Sequence, residues 1–245
     1  MFFRKKGDAS AVHAAGYPVN EGMHYLDVLD RTEDILKPDW YLEIGSRSGT
    51  SLARRKCNFI GVDPEFHIVR NVFNGAPQMM FMQMTSDAFF DSRILDKLAV
   101  RPQMAFIDGM HLFEFALRDF INCERTMDED GLVFFHDVLP FNAAMTSRQY
   151  RPGTPWTGDV WKTILALVEC RSDLRIDVIG AAKTGLACVR GLKPGNGSLL
   201  ADYDRVIARY LSLDIESYGI QTYLSKVSFI TPEAFIASLS PRDAS

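Results

Sequence analysis

Two short stretches carry the side chains best suited to chemistry. Asp108-Gly109-Met110-His111 sets an acid and an imidazole three residues apart, and His136-Asp137 sets the same two groups side by side. Carboxylates and imidazoles gathered round one mouth can bind a divalent cation, with oxygen-rich ligation favouring magnesium or manganese. Without metal they can hold and deprotonate a hydroxyl. His111 is the candidate base, because an imidazole titrates near neutrality, and Asp108 and Asp137 would share the site with it. His13, His24 and His67 lack such a setting and read as structural or solvated.

A second constellation suits binding. Glu43-Ile-Gly45-Ser46-Arg-Ser-Gly49-Thr50-Ser51 reads as a strand end, a glycine turn and a helix start. Gly45 and Gly49 let the backbone turn tightly and approach a ligand. The free N–H groups of a helix starting there can meet a carboxylate or phosphate. The glycine spacing is G-x-x-x-G, not the G-x-G-x-x-G of a dinucleotide site. The acid two residues before the first glycine favours a positive ammonium group and would repel a pyrophosphate. Asp63 follows Glu43 by 20 positions and can accept hydrogen bonds from two ribose hydroxyls, or cap a helix ahead of Pro64. Thr85-Ser86-Asp87 can reach the exocyclic amine of an adenine, or cap a helix near 88.

These residues fall at the ends of short apolar runs. Strands are expected at Trp40–Ile44, Asn58–Asp63, Met79–Met84, Gln103–Asp108 and Gly131–Asp137, with helices at about 22–36, 50–56, 66–74, 88–98 and 112–127. In the last, Leu112, Phe115, Ala116, Phe120 and Ile121 are expected to face inward. A further helix near 159–169 precedes two strands, 174–180 and 185–191, joined by Ala-Ala-Lys-Thr. That link allows a hairpin but no right-handed crossover. The expected fold is α/β: a Rossmann-like, doubly wound, mostly parallel seven-stranded sheet with a C-terminal antiparallel hairpin and helices on both faces. The chain reads as one domain over 1–245, with a loose N-terminal arm (1–20), a core (22–192) and a mostly helical C-terminal extension (198–245).

E-x-G-x-x-x-G, then Val-Asp at 62–63, then Ser86-Asp87 resembles the cofactor half of class I S-adenosylmethionine-dependent methyltransferases. Thr184-Gly-Leu-Ala-Cys-Val189 resembles their last, antiparallel strand. The resemblance implies S-adenosyl-L-methionine as cofactor, held by Glu43, Gly45, Ser46, Gly49, Thr50, Ser51, Asp63, Ser86, Asp87 and Asp108. The second half is similar to metal-dependent O-methyltransferases of the catechol type, which implies Asp108, His136 and Asp137 as ligands of Mg2+ or another divalent cation. His111 stands where those enzymes carry a catalytic lysine. D-G-x-H with H-D is closer to a methyltransferase-domain family of bacterial sugar, glycan and natural-product pathways, which implies O-methylation of a sugar or similar polyol. An alcohol is a poor nucleophile and must lose its proton, whereas the sulfonium leaves as a neutral thioether and needs no acid.

Residues 139–161 form a long link beyond the fifth strand, where function often lies. There Trp156 could stack on a sugar ring, and Arg148 or Arg151 could pair with an acidic group on the acceptor. Thr157 or Asp159 is expected to cap the following helix, with Trp161 in the core. The net charge of -4 gives no global field for nucleic acid or anionic membrane. The four cysteines at 57, 123, 170 and 188 have no metal or redox spacing and read as reduced thiols. The start Met-Phe-Phe-Arg-Lys-Lys lacks the apolar stretch of a secretory signal, and a cytoplasmic location is expected. The expected partner is a small-molecule acceptor, with no nucleic acid and no membrane; a homo-oligomer is compatible with the sequence. A nicotinamide-dependent oxidoreductase would need the missing glycine spacing. A non-catalytic binding module would leave Asp108, His111 and Asp137 idle.

Overall fold

The apolar runs become the strands of one sheet in a computed structural model that describes residues 16–73 and 75–240. The strands are β1 (Trp40–Ile44), β2 (Asn58–Val62), β3 (Met79–Met82), β4 (Met104–Ile107), β5 (Leu132–His136), β6 (Arg175–Ile179), β7 (Leu186–Arg190) and β8 (Ser228–Ile230). Their order is β3-β2-β1-β4-β5-β7-β6-β8. The first five pair in parallel, and β7 runs antiparallel to both β5 and β6. The doubly wound plan and the hairpin are therefore as expected. The sheet has eight strands and not seven, because β8, from the extension, pairs in parallel with β6.

Helices cover both faces: α1 (Tyr25–Leu36), α2 (Ser86–Asp91), α3 (Ile94–Leu98), α4 (Phe113–Thr126) and α5 (Trp161–Cys170). The extension adds α6 (Ser198–Ala201), α7 (Tyr203–Tyr210), α8 (Ile215–Tyr218), α9 (Ile220–Lys226) and α10 (Pro232–Ala237). Alternate strand residues feed two apolar layers. Leu42, Ile44, Val62 and Phe135 join the layer under α4 and α5. Tyr41, Phe59, Phe106 and Phe134 join the layer that also holds Leu29 of α1 and Phe235 of α10.

Two expected helices are absent. Residues 50–56 form only one 3-10 turn, Leu52–Arg54. Arg54 pairs with Asp27 and Asp30, and Arg55 with Asp30 and Glu33, so the chain is drawn to α1 and goes straight into β2. Residues 66–73 contain no helix, and residue 74 lies outside the described residues. The His67 and Val69 N–H groups donate to the carbonyls of Arg47 and Ser48 at 2.7 and 3.0 Å. Pairing with the glycine turn overrides a weak helical pattern that includes the β-branched pair Ile68-Val69.

The inward face of α4 is shifted: Phe113, Ala116, Leu117, Phe120 and Ile121 are buried, while Phe115 carries the Arg118 guanidinium 4.8 Å above its ring. Residues 1–15 of the expected arm lie outside the described residues. Its end is not loose, since Tyr17 is buried and Gln221 donates to the Gly16 carbonyl. Among the described residues no helix is long and apolar enough to cross a membrane.

Candidate active site

The parallel register brings the strand ends together. Ile107 lies opposite Phe135, so Asp108 and His136, each one residue further on, meet at the carboxyl edge of β4 and β5. His136 Nδ1 lies 3.1 Å from Asp108 Oδ1 and 3.5 Å from Asp137 Oδ1. His111 spans the two acids, with Nε2 3.4 Å from Asp108 and Nδ1 2.8 Å from Asp137. All four side chains named from the sequence thus form one cluster.

The backbone there is unusual. His111 (φ 57°) and Asp137 (φ 60°) are both non-glycine residues in the left-handed region. Such conformations cost roughly 1–3 kcal/mol and persist where surrounding structure imposes them, often at functional sites.

The charges reinforce one another. Burial opposes the charged form of His111, yet Asp108 and Asp137 outweigh it and raise the imidazole to about 10. Burial likewise opposes the charge on Asp108, but His136 and His111 hold the carboxyl well below the usual range. His136 is raised by the same two acids against its burial. The two acids thus favour the protonated form of His111, the form it takes on when it accepts a proton.

A segment between β5 and α5 locks His111. The Asp159 N–H donates to the His111 carbonyl at 3.0 Å, and a side chain on Gly158 would put its Cβ 1.8 Å from that oxygen. The Trp156 ring stacks on the imidazole, with centroids 5.1 Å apart and planes 6° from parallel. Its indole N–H donates to the Ser147 carbonyl at 2.5 Å. Asp159 does not cap α5 as expected; its buried carboxylate accepts from the Phe113 N–H at 2.7 Å, at the start of α4. Arg148, expected to face the acceptor, is held by Glu114 and Asp159 at 2.6 Å each. Trp161 is buried, as expected.

The glycine turn lies beside this cluster. Gly45 has φ 94°, and a Cβ there would sit 2.1 Å from the Asp108 carbonyl oxygen, so the turns after β1 and β4 touch only because this residue is glycine. Glu43 is buried, accepts from Tyr41 at 2.7 Å and Ser51 at 2.5 Å, and is raised by burial to about 7. Ser46 donates to the Glu43 carbonyl, and Thr50 bonds Ser48, so these hydroxyls brace the turn. Asp63 accepts from the Arg47 and Glu65 N–H groups, one on each oxygen, which leaves each a further lone pair for a ribose hydroxyl. Gly49 is followed by the single 3-10 turn and by no α-helix, and Ile68 and Val72 lie beside it. Thr85 caps α2, not Ser86 or Asp87, and Asp87 is engaged by Arg118 through two bonds of 2.6 and 2.7 Å.

Four residues act at the site in ways the sequence expectation does not include. Tyr25 packs against His136, with ring centroids 4.1 Å apart and planes tilted by 39°. Its place at the start of an apolar helix face gave no signal of that contact. Gly158 and the carboxylate of Asp159 act across the loop, and the run Trp-Thr-Gly-Asp was the one available clue. Asp119 is buried on α4, takes a hydrogen bond from Ser86, and is raised by burial to about 7. An acid inside an amphipathic helix reads as solvated, and nothing in the sequence points to Ser86 as its partner.

A buried acid ahead of a glycine turn, an acid with lone pairs open to a ribose, and a doubly wound sheet fit S-adenosylmethionine. Residues 42–138 match the family model for a methyltransferase domain. The matched stretch runs from within β1 to just past β5 and so includes the glycine turn and the strand-end acids. No curated protein sequence matches the chain. Among solved structures it is similar to the O-methyltransferase TomG from Streptomyces achromogenes, involved in tomaymycin synthesis and solved with S-adenosylmethionine. That match has 16% identity and a TM-score of 0.49, over 69% of this chain and 78% of that one. The S-adenosylhomocysteine-bound methyltransferase PaMTH1 of Podospora anserina matches at 13% identity and a TM-score of 0.46, over 68% and 76%. MycE of the mycinamycin pathway, solved with Mg, S-adenosylhomocysteine and mycinamycin VI, matches at 15% and 0.41, over 69% and 48%. At such identities and scores nothing about acceptor or metal follows from these neighbours.

Proposed function

We propose that the protein transfers the methyl group to a hydroxyl of a small acceptor, and that His111 receives the hydroxyl proton. The observation that carries this reading is His111 itself: an imidazole between two carboxylates, on a left-handed backbone, clamped by Trp156 and Asp159. Bound S-adenosylmethionine supplies an electrophilic methyl on a sulfonium that departs as a neutral thioether. The hydroxyl proton is then the one proton that has to move. Asp137 and Asp108 stabilise the imidazolium that results, and Tyr25 and Thr184 hold His136 against Asp108. Sugars and natural-product intermediates with free hydroxyls are acceptors of this kind, and a cytoplasmic enzyme would meet both. The test is His111→Ala, read as methyl transfer from labelled cofactor alongside calorimetry with S-adenosylhomocysteine. Loss of transfer with binding intact supports the reading; unchanged transfer removes His111 from the chemistry.

One observation favours a second reading, with a cation. His111 Nδ1 is buried and only 2.8 Å from Asp137, yet it makes no aligned hydrogen bond. That separation suits two neighbouring ligands on one ion, given bonds of about 2.0–2.1 Å. Donor atoms of Asp108, His111 and Asp137 all lie within 4.8 Å of one another, so the set fits a divalent cation with His111, rather than His136, as the nitrogen ligand. There it would supply Lewis acidity that eases ionisation of the hydroxyl. Full activity after chelation, with no metal in the purified protein, would exclude this reading and leave the first.

A further inference from the structure

An acceptor has to approach His111 past the loop between β5 and α5. Of the two arginines in that loop, Arg148 is neutralised by Glu114 and Asp159. Arg151 is exposed, and it lines a cavity of about 330 Å³ together with Met145, Ser147, Gln149, Pro155 and Trp156. No acid lines that cavity, so its one charge is a guanidinium. The volume is at the small end for ligand sites. Trp156 is a wall shared with the catalytic cluster, because the same indole stacks on His111. Its bond to the Ser147 carbonyl fixes the ring in that place. A guanidinium fork matches a carboxylate with two parallel hydrogen bonds. Flat apolar surface from Trp156 and Pro155 beside it suits a ring.

We propose that this cavity is the acceptor subsite and that the acceptor is a small ring bearing a carboxylate as well as the reacting hydroxyl. The ring lies against Trp156 and Pro155, the carboxylate pairs with Arg151, and the hydroxyl turns past the edge of Trp156 toward His111 and Asp137. The inference rests on the hydroxyl-methylation reading for its choice of reacting group, but its test reads binding alone. The experiment is calorimetry on the protein saturated with S-adenosylhomocysteine, using 4-hydroxybenzoate and its neutral isostere 4-hydroxybenzamide. The acid should bind at least about tenfold more tightly, the scale of one charge-assisted hydrogen bond. Arg151→Gln, with thermal stability intact, should abolish that preference, and Trp156→Ala should weaken both ligands. Failure of 4-hydroxybenzoate to bind saturably, equal binding of acid and amide, or a preference that survives Arg151→Gln, overturns the subsite. If the binding pattern holds while no acceptor hydroxyl is ever methylated, the subsite stands and the hydroxyl reading fails.

Discussion

His111 is useful because its surroundings leave it little freedom. Its ring touches two carboxylates and an indole, and its carbonyl is held by the Asp159 N–H. His111→Ala should keep affinity for S-adenosylhomocysteine and lower turnover at least about 100-fold, the scale of general-base catalysis. Asp119 makes a different prediction. Burial lifts its pKa from the usual 3.8 to about 7, so the folded chain holds a proton that the unfolded chain releases. The sign follows: no cost below about pH 4, and a growing loss of stability as pH rises through about 7. Asp119→Asn keeps a hydrogen bond with Ser86 and carries no charge. Its Tm should exceed that of the wild type at pH 8 by a few degrees, on the order of 1–3 kcal/mol, and the gap should shrink by pH 5. A constant gap in thermal melts across that range would contradict the assignment. The acids and histidines were legible from residue type and strand-end position. That Arg148 is already paired was not, because Glu114 lies 34 positions away and only the fold brings them together.

At the scale of elements, the site is a contact between turns. Strand ends after β1, β2, β4 and β5 could be read from apolar runs, and they place Glu43, Asp63, Asp108 and Asp137 correctly at one edge. The helices expected at 50–56 and 66–74 could not be judged from local pattern. Arginine pairs with α1 and backbone bonds to the glycine turn decided them. Gly45→Ala and Gly158→Ala separate the two halves of the site. In the first, a Cβ 2.1 Å from the Asp108 carbonyl oxygen must push apart the turns proposed to meet the cofactor. Affinity for S-adenosylhomocysteine and turnover should both fall at least about tenfold, given strain of roughly 1–3 kcal/mol. In the second, a Cβ 1.8 Å from the His111 carbonyl oxygen displaces the imidazole alone. Turnover should then fall much further than cofactor affinity, as labelled-methyl assays and calorimetry on the same samples would reveal.

Across the whole molecule, the extension completes the sheet and does not merely decorate it. Strand β8 adds to the hairpin edge at β6, and Phe235 of α10 is fully buried against Phe134 of β5, with ring centroids 5.9 Å apart. A three-residue strand among helical segments is too short for periodicity to reveal, which is why the sequence read as seven strands. Phe235→Ala should cost about 3–5 kcal/mol in chemical denaturation, while the folded protein keeps its affinity for S-adenosylhomocysteine. An effect below about 1 kcal/mol would show that the extension is not part of the core. The sheet, its covered faces and the edge where the turns meet serve one reaction, and one measurement addresses it most directly. The protein is incubated with methyl-labelled S-adenosylmethionine and hydroxylated ring acids, and the product is resolved by mass spectrometry and NMR. The account predicts label in a methyl ether, lost in His111→Ala while S-adenosylhomocysteine still binds. Label on nitrogen or carbon, or equal labelling by the His111 variant, would contradict it.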